Sequence, residues 1–444
     1  MSATPEPPVH PSEPPLRRIL RNFALLLRGR WIAGVMTFAA TTLMARTLGP
    51  HDFGLVVLMH AYTLLIRGLL NFQPYEAMVR FGVPLLESGE AQRLVRLAAA
   101  CRRVDRRSSL IATALGLVAA PFAAWLLELD RLQLLMLMAY SLTLLATGNG
   151  TATGVLRLYD RFDLIGKQMS VGPAIRIAGV GLAWFNHADL PAFVATWAIA
   201  YLAENAYINW RGWQEYRQRL GDSGALSGQS KAKLQEFEGL RGFLWVTYWQ
   251  SSLDLVPKHL AMVLAGSLLG PAAAGLLRLA REYASLLIQP TVLIRQVVFL
   301  DLTRSWHQRS PDFGRITWQA ALLAGGVGLG LSVLGWFAGP PLLAVLAGQQ
   351  FAAAGPVLTL LLFAASLNLA ESPLRAAAYA IGKAGATLRL HVAATVVYLG
   401  LFIALSHWIG LIGAGVAAVA AAAIPLGGMI VLIRSRLRRS GDNR

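Results

Sequence analysis

Leu48-Gly49-Pro50 leads into Phe53-Gly54-Leu55, and Leu269-Gly270-Pro271 leads into Ala274-Gly275-Leu276. The two copies start 221 residues apart (269 minus 48) in a chain of 444. Each sits between two long apolar runs, so each reads as a tight turn joining two membrane helices. Glycine ends one helix in a conformation other residues resist, and proline opens the next, where its missing N–H costs nothing. A turn repeated at half the chain length points to two helical bundles built on one plan, an arrangement common among transporters.

The composition agrees with that reading. Hydrophobic residues make up 55% of the chain and charged residues only 14%, where soluble chains carry about 25% charged. Mean hydropathy is +0.52. Apolar runs of about 20 residues, the length that crosses a bilayer, recur throughout. Residues 1–16 are proline-rich and polar and read as a disordered tail rather than a signal peptide. The single cysteine, Cys101, excludes an internal disulfide and a cysteine metal site.

Twelve spans are expected, at 22–46, 53–73, 108–127, 133–155, 164–185, 190–210, 243–267, 273–297, 316–338, 352–371, 386–407 and 410–433. With that division, 33 of the 40 Lys and Arg fall on one side, only Arg46 and Arg131 on the other, and five inside spans. The formal charge of +17 is therefore a topology signal, which places both termini and the basic loops in the cytoplasm and argues against nucleic acid as a partner. The fold class is all-α, integral to the membrane, with twelve helices in two six-helix bundles. Because six helices return the chain to its starting side, both LGP turns face outward and the pseudo-two-fold repeat is parallel. The expected domains are a tail (1–16), a first bundle (17–210), a cytoplasmic linker (211–242), a second bundle (243–434) and a basic tail (435–444). The stretch 86–107 reads as an amphipathic cytoplasmic helix running into the third span. Gln73-Pro74 with Arg80 is echoed by Gln289-Pro290 with Arg295.

Charges in hydrocarbon are costly, about 2.5–3.5 kcal/mol each at a helix centre, and usually face a cavity. Here polar residues recur at helical spacing: His60, Thr63, Arg67 and Asn71; Gln168, Gly172, Arg176 and Gly179; Trp197, Tyr201, Glu204 or Asn205, and Ile208; Thr247, Gln250, Ser251, Asp254 and Lys258; Arg278, Arg281, Glu282, Ser285 and Gln289. Such faces suggest a wet cavity. Arg176, near mid-span with no acid in its own helix, is expected to line it. Asp254 and Lys258 form an i,i+4 pair that would otherwise neutralise itself, and Arg67 and Arg278 sit near span ends, where they could snorkel. Five cations (Arg67, Arg176, Lys258, Arg278, Arg281) face three acids (Glu204, Asp254, Glu282) within the spans. That surplus suits an anionic ligand, and arginine's paired donors match phosphate or carboxylate.

No GxxxxGK[ST] loop, HExxH or other histidine ligand spacing is present, and no nucleophile triad is visible. Neither an enzyme, a metal site nor a cofactor is expected.

The segment 28–82, with LGPxxFG (48–54) and NFQPYEAMVRFG (71–82), and the second LGPAAAGLLRLA (269–280) resemble the polysaccharide or oligosaccharide flippases of the multidrug/oligosaccharidyl-lipid/polysaccharide (MOP) exporter superfamily. The resemblance implies two six-helix bundles around a cavity that alternates between the membrane faces. It implies a polyprenyl-diphosphate-linked oligosaccharide as cargo, moved from the cytoplasmic to the periplasmic leaflet of a bacterial inner membrane for cell-surface polysaccharide. Arg67, Arg176, Lys258, Arg281 and Arg278 are the expected cationic cavity residues. Asp254 and Glu204 are the expected ion-coupling carboxylates. Membrane lipid, and a polysaccharide polymerase and export proteins, are the expected partners. An exporter of small drugs or metabolites on the same scaffold, and a non-transporting partner of an assembly complex, are the alternatives.

Overall fold

The computed structural model describes residues 15–221, 234–285 and 313–441, without the side chains of 15–20, 22, 23, 25, 254, 380, 384 and 436–441. Every regular element among the described residues is helical. The first, Pro15–Leu69, is two helices broken at Gly49, which leaves the helical region at φ 73° and ψ 174°. We label them α1 (15–48) and α2 (50–69). There follow α3 (Pro74–Glu87), α4 (Ala91–Leu126), α5 (Arg131–Ser141), α6 (Gly150–Leu158), α7 (Phe162–Phe185) and α8 (Leu190–Leu220). The rest are α9 (Leu240–Leu269), α10 (271–285), α11 (Phe313–Ala347), α12 (Gly355–Ala380), α13 (Ala384–Ile409) and α14 (Leu411–Gly441). Among the described residues, eight helical stretches are long and apolar enough to cross a membrane. Helices α11 to α14 pack on one another, α7 packs along the α1–α2 unit and on α8, and α9 touches both groups.

The longest uninterrupted helix after the first shows where lipid ends. On α4 the exposed residues Leu110, Ile111, Leu115, Val118, Phe122 and Trp125 are apolar, while Arg106 and Arg107 just before them are exposed and charged. From Arg107 to Trp125 the helix rises about 27 Å at 1.5 Å per residue, close to the ~30 Å of a hydrocarbon core. Residues 91–106 therefore stand outside it. There a second apolar cluster, with Met78, Leu94, Leu97, Tyr216, Phe237 and Leu240 at its centre, binds α3, the start of α4, and the ends of α6, α8 and α9 into a basic-end subdomain.

Three expectations change. The chain after the second span forms a separate helix, α3, entered through Gln73 in a left-handed conformation (φ 48°). The span expected at 133–155 is interrupted: a 3-10 segment, Leu142–Thr147, separates α5 from α6. The buried Asp105 carboxylate takes the N–H groups of Gly150 (3.3 Å) and Thr151 (2.6 Å), so a carboxylate caps the new helix start. Finally, the linker expected at 211–242 as a tether with amphipathic helical ends begins as part of a longer helix, at residues 211–220. They continue α8 into the basic-end subdomain, with Tyr216 fully buried and the buried Glu215 ion-paired to Arg161 and Arg219. Residues 222–233 of the expected linker, and Gln289-Pro290 with Arg295, lie outside the described residues.

The two LGP turns meet each other. Gly270 repeats the conformation of Gly49, with φ 85° and ψ 169°. A Cβ on Gly275 would come within 2.5 Å of the Pro50 carbonyl oxygen, and one on Gly54 would collide with the Pro271 carbonyl. Each turn thus lays its backbone on the glycine of the other, an approach only glycine permits. Around this contact a single apolar core joins early and late residues, including Phe53, Val57, Leu277, Phe351 and Leu358. Phe53 and Phe351 meet edge to face at 5.9 Å. Arg46 donates to the Val345 carbonyl at 3.4 Å across the same rim.

At the opposite, basic end a different device joins α2 to α9. The last carbonyls of a helix have no intrahelical partner. Those of Gly68 and Leu69 at the end of α2, and of Asn71 and Phe72 just beyond it, accept from the hydroxyls of Ser252 (2.9 Å), Tyr248 (2.9 Å), Ser251 (2.7 Å) and Thr247 (3.3 Å). Thr247 and Ser251, read from spacing as a cavity face, instead satisfy this frayed helix end.

Gly54→Leu and Gly275→Leu should each destabilise the purified protein by about 1–3 kcal/mol, the cost of overpacking a tight contact. Both side chains would enter one gap, so the double variant should cost less than the sum. Unfolding free energies that add within about 0.5 kcal/mol would mean that the two glycines do not meet. Ser251→Ala and Ser252→Ala should each cost about 1 kcal/mol in the same measurement by leaving a carbonyl without a partner.

Candidate functional site

Between these two junctions lies a cavity of about 740 Å³. Its first wall comes from α1, α2 and α8, and is apolar apart from Thr41, His60 and the indole of Trp197. Its second wall comes from α9, α10 and α12 to α14, and carries Lys258, His259, Arg278, Arg281, Asn368 and His391. Two prolines shape this wall: Pro257 in α9 and Pro425 in α14. A proline inside a helix removes one backbone hydrogen bond, and a polar cavity is where such a freed carbonyl is tolerated in a membrane.

The charges on this wall are held differently. Arg278 is ion-paired with Glu282 one turn on, at 2.9 Å. Arg281 reaches α13 and donates to the Tyr398 hydroxyl at 2.6 Å. The adjacent Arg281 and Glu282 thus each find a separate neighbour. Lys258 is exposed to the cavity. No Asp or Glu is among the described lining residues. Three permanent cations and three histidines, His60, His259 and His391, therefore face the space with no carboxylate among the described lining residues.

The other candidates from the sequence lie elsewhere. Arg67 lines a second, smaller cavity of about 340 Å³ in the first half of the chain, with Asn71, Gln73, Asp105, Asn149 and Gln168. Its guanidinium donates to the Tyr201 hydroxyl at 3.1 Å. The Tyr201 ring in turn lies edge-on to His60 at 5.8 Å, so a polar chain runs from one cavity to the other. His60 Nδ1 is 2.9 Å from the Tyr140 hydroxyl.

Arg176 is not among the residues lining the large cavity. Its face of α7 is a packing seam against α8: Gly172 lies on Glu204 and Gly179 on Thr196. Arg176 is consequently turned toward α8, one layer behind the wall, with its guanidinium 5.4 Å from the centre of the Trp197 ring. Its Nε is buried without a hydrogen-bond partner among the described residues. Glu204 accepts from Gln168 at 3.0 Å on the same seam. Asn205 bonds Asn149 at 2.7 Å. The side chain of Asp254 lies outside the described residues.

Spacing missed one group. Helix α12 runs to Ala380 rather than ending at 371, which brings Glu371 and Arg375 inside it. Glu371 is 1% exposed, and Arg375 and the cavity residue His391 both approach it. The signal was a Glu-Arg pair four residues apart beside a histidine in the following apolar run. Among the described residues no cluster of His, Cys, Asp and Glu is arranged to hold a metal.

No family model matches the chain. It is 27% identical over 341 residues to the inner membrane protein YghQ of Escherichia coli K12, covering 76% of this chain and 94% of that protein. Among solved structures it is similar to an inward-facing multidrug resistance MATE family transporter of the MOP superfamily, with TM-score 0.70 and 15% identity over 90% of this chain and 95% of the other. It is equally similar to the lipid II flippase MurJ in an inward closed conformation, with TM-score 0.68 and 14% identity over 93% and 87%. At such identities the likeness is one of fold. The chain is a multi-pass membrane protein whose fold is that of these two structures.

Proposed function

We propose that this protein is a flippase of the bacterial inner membrane. It carries a polyprenyl-diphosphate-linked oligosaccharide from the cytoplasmic to the periplasmic leaflet, for cell-surface polysaccharide. The observation that carries the reading is the cavity wall of Lys258, Arg278 and Arg281 with no carboxylate among its described lining residues. Guanidinium and ammonium groups in a site of low dielectric bind phosphate oxygens with charge-assisted hydrogen bonds. An enclosed polar space also spares the diphosphate and sugar hydroxyls their desolvation in lipid, while the prenyl tail stays in the bilayer.

In this reading the chain forms twelve spans in two six-helix bundles, related by a parallel repeat whose two LGP turns face the periplasm. Both termini and the basic-end subdomain are cytoplasmic, following the charge bias. The sealed LGP contact then makes this the inward state, in keeping with the higher TM-score to the inward-facing MATE structure (0.70) than to an outward-facing one (0.53). Transport opens that contact while the bundles pivot about the α2–α9 junction. Glu204 and Asp254 are candidates for ion coupling. A polysaccharide polymerase and export proteins are the proposed partners downstream.

A second reading is an exporter of small anionic metabolites or drugs. The cavity volume of about 740 Å³ is within the ~300–1,000 Å³ of small-molecule sites, and the MATE likeness points the same way. A non-transporting scaffold is disfavoured, because a cavity of this size is not filled by bulky apolar side chains.

Deleting the protein should trap a lipid-linked oligosaccharide in the cytoplasmic leaflet, where membrane-impermeant glycan reagents cannot reach it and mass analysis names it. Unchanged surface polymer with no trapped intermediate would sink the flippase reading and favour the exporter. Lys258→Glu should abolish export, and Arg281→Ala should slow it at least roughly tenfold, since a hydrogen bond to a charged group is worth about 1.5–3 kcal/mol. Arg176→Ala, one layer back, should act more weakly. Wild-type export by Lys258→Glu would exclude the cationic wall as the binding surface.

A further inference from the structure

The Glu371–Arg375–His391 cluster is built as a two-position switch. His391 Nδ1 lies 2.9 Å from the Thr387 carbonyl, one turn back on α13. A carbonyl only accepts, so Nδ1 carries the hydrogen. Arg375 Nη1 lies 3.3 Å from His391 Nε2. Arginine only donates, so Nε2 presents its lone pair. These two contacts define one neutral tautomer. A second partner waits on the same side: Glu371 Oε1 is 3.8 Å from His391 Nε2, and its Oε2 is 3.7 Å from Arg375 Nε. Glu371 is buried, whereas His391 is only half-buried and lines the large cavity.

We propose that His391 is a proton-binding site that couples the cavity to the state of the transporter, with Glu371 and Arg375 as its two alternative partners. A proton from cavity water adds to the Nε2 lone pair. Arg375 Nη1 then loses its acceptor on His391 and faces a second cation. The new Nε2–H turns to Glu371 Oε1 as its acceptor, so the charged ring pairs with the buried carboxylate in place of the arginine. Release of the proton to water restores the first arrangement. Proton uptake thereby exchanges the contacts that tie α13 to α12, two of the helices that form the cationic wall. A bistable pairing of this kind is what a proton needs to bias a conformational equilibrium.

Charged and polar groups surround His391 on every side. Beyond Glu371 and Arg375 on α12, the ionisable groups around the cavity are Lys258 and His259 on α9, Arg278 and Arg281 on α10, Tyr398 on α13 itself, and His60 across the space on α2. Arg389 is a further cation on α13, and α14 contributes no titratable side chain between Leu411 and Ile433. Glu371 is thus the carboxylate within reach of His391 among the described residues. The chemistry of the switch is independent of the cargo; only its consequence, gating, rests on the alternating-access reading above.

The test reads the outer rim directly. His51→Cys and Gln349→Cys place two spin labels at exposed positions on either side of it, and Cys101 is buried and stays unlabelled. The full-length protein in lipid nanodiscs is measured by pulsed EPR between about pH 5 and pH 8, the range in which histidine changes charge. The wild type should shift its distance distribution across this range. His391→Gln, whose amide oxygen still accepts from Arg375, should lose the shift and stay in the high-pH distribution, and Glu371→Gln should lose it too. Lys258→Ala, which leaves the switch intact, should keep it. A wild type that does not respond to pH would overturn the proposal. So would a shift that survives His391→Gln, or one removed instead by His60→Gln or His259→Gln. Because no cargo is present, failure of the flippase reading is scored separately, by the trapped-intermediate experiment.

Discussion

The contact on which the fold turns is the mutual approach of two backbones: Gly54 against the Pro271 carbonyl, Gly275 against that of Pro50. It is small in area, but it fixes how α1, α2, α9 and α10 converge at one membrane face. Neither turn can slide past the other, because the glycines leave no side chain to yield and the prolines hold their own backbones stiff. Buried apolar residues of both halves collect behind this contact, and the cavity begins where they stop. One face of the molecule is therefore closed by packing, and polar space is confined to the interior.

The cavity is electrically one-sided. Its first wall offers Trp197, His60 and apolar side chains; its second concentrates Lys258, Arg278 and Arg281. An anion entering would bind mainly to one half and slide along the other. In the alternating-access reading proposed above, that arrangement lets the halves separate, since strong bonds to both walls would hold them together. The carboxylates that balance these cations are withdrawn: Glu282 is committed to Arg278, and Glu371 lies buried behind His391.

Many of the polar residues in the spans have a second use, as adhesive between helices. In lipid every backbone group must find a partner inside the protein. Thr247, Tyr248, Ser251 and Ser252 supply it for the frayed end of α2. Just outside the hydrocarbon, Asp105 does the same for the start of α6. Such hydroxyls and carboxylates recur at helical spacing for the same reason that cavity residues do, because both face inward. Spacing alone cannot separate them.

Much of the architecture was legible from the chain itself. Long apolar runs can only be spans, the LGP repeat marks two kinked turns, and the same φ and ψ recur at Gly49 and Gly270. These are local consequences of hydrophobicity and backbone sterics. Lys258, Arg278 and Arg281 were legible only as members of a larger cationic group with Arg67 and Arg176, because charges in apolar surroundings need a wet face. Which side of its helix each charge presents was not, since that depends on how neighbouring helices rotate against one another. Arg176 is turned from the cavity because Gly172 and Gly179 let α8 pack on its face. Glu371, Arg375 and His391 form a cluster because α12 runs past residue 371 and α13 returns beside it. Sequence by itself determined the helices, the turns and the sign of the charge; tertiary structure decided which charges share one space, because helix rotation is set by packing between segments far apart in the chain.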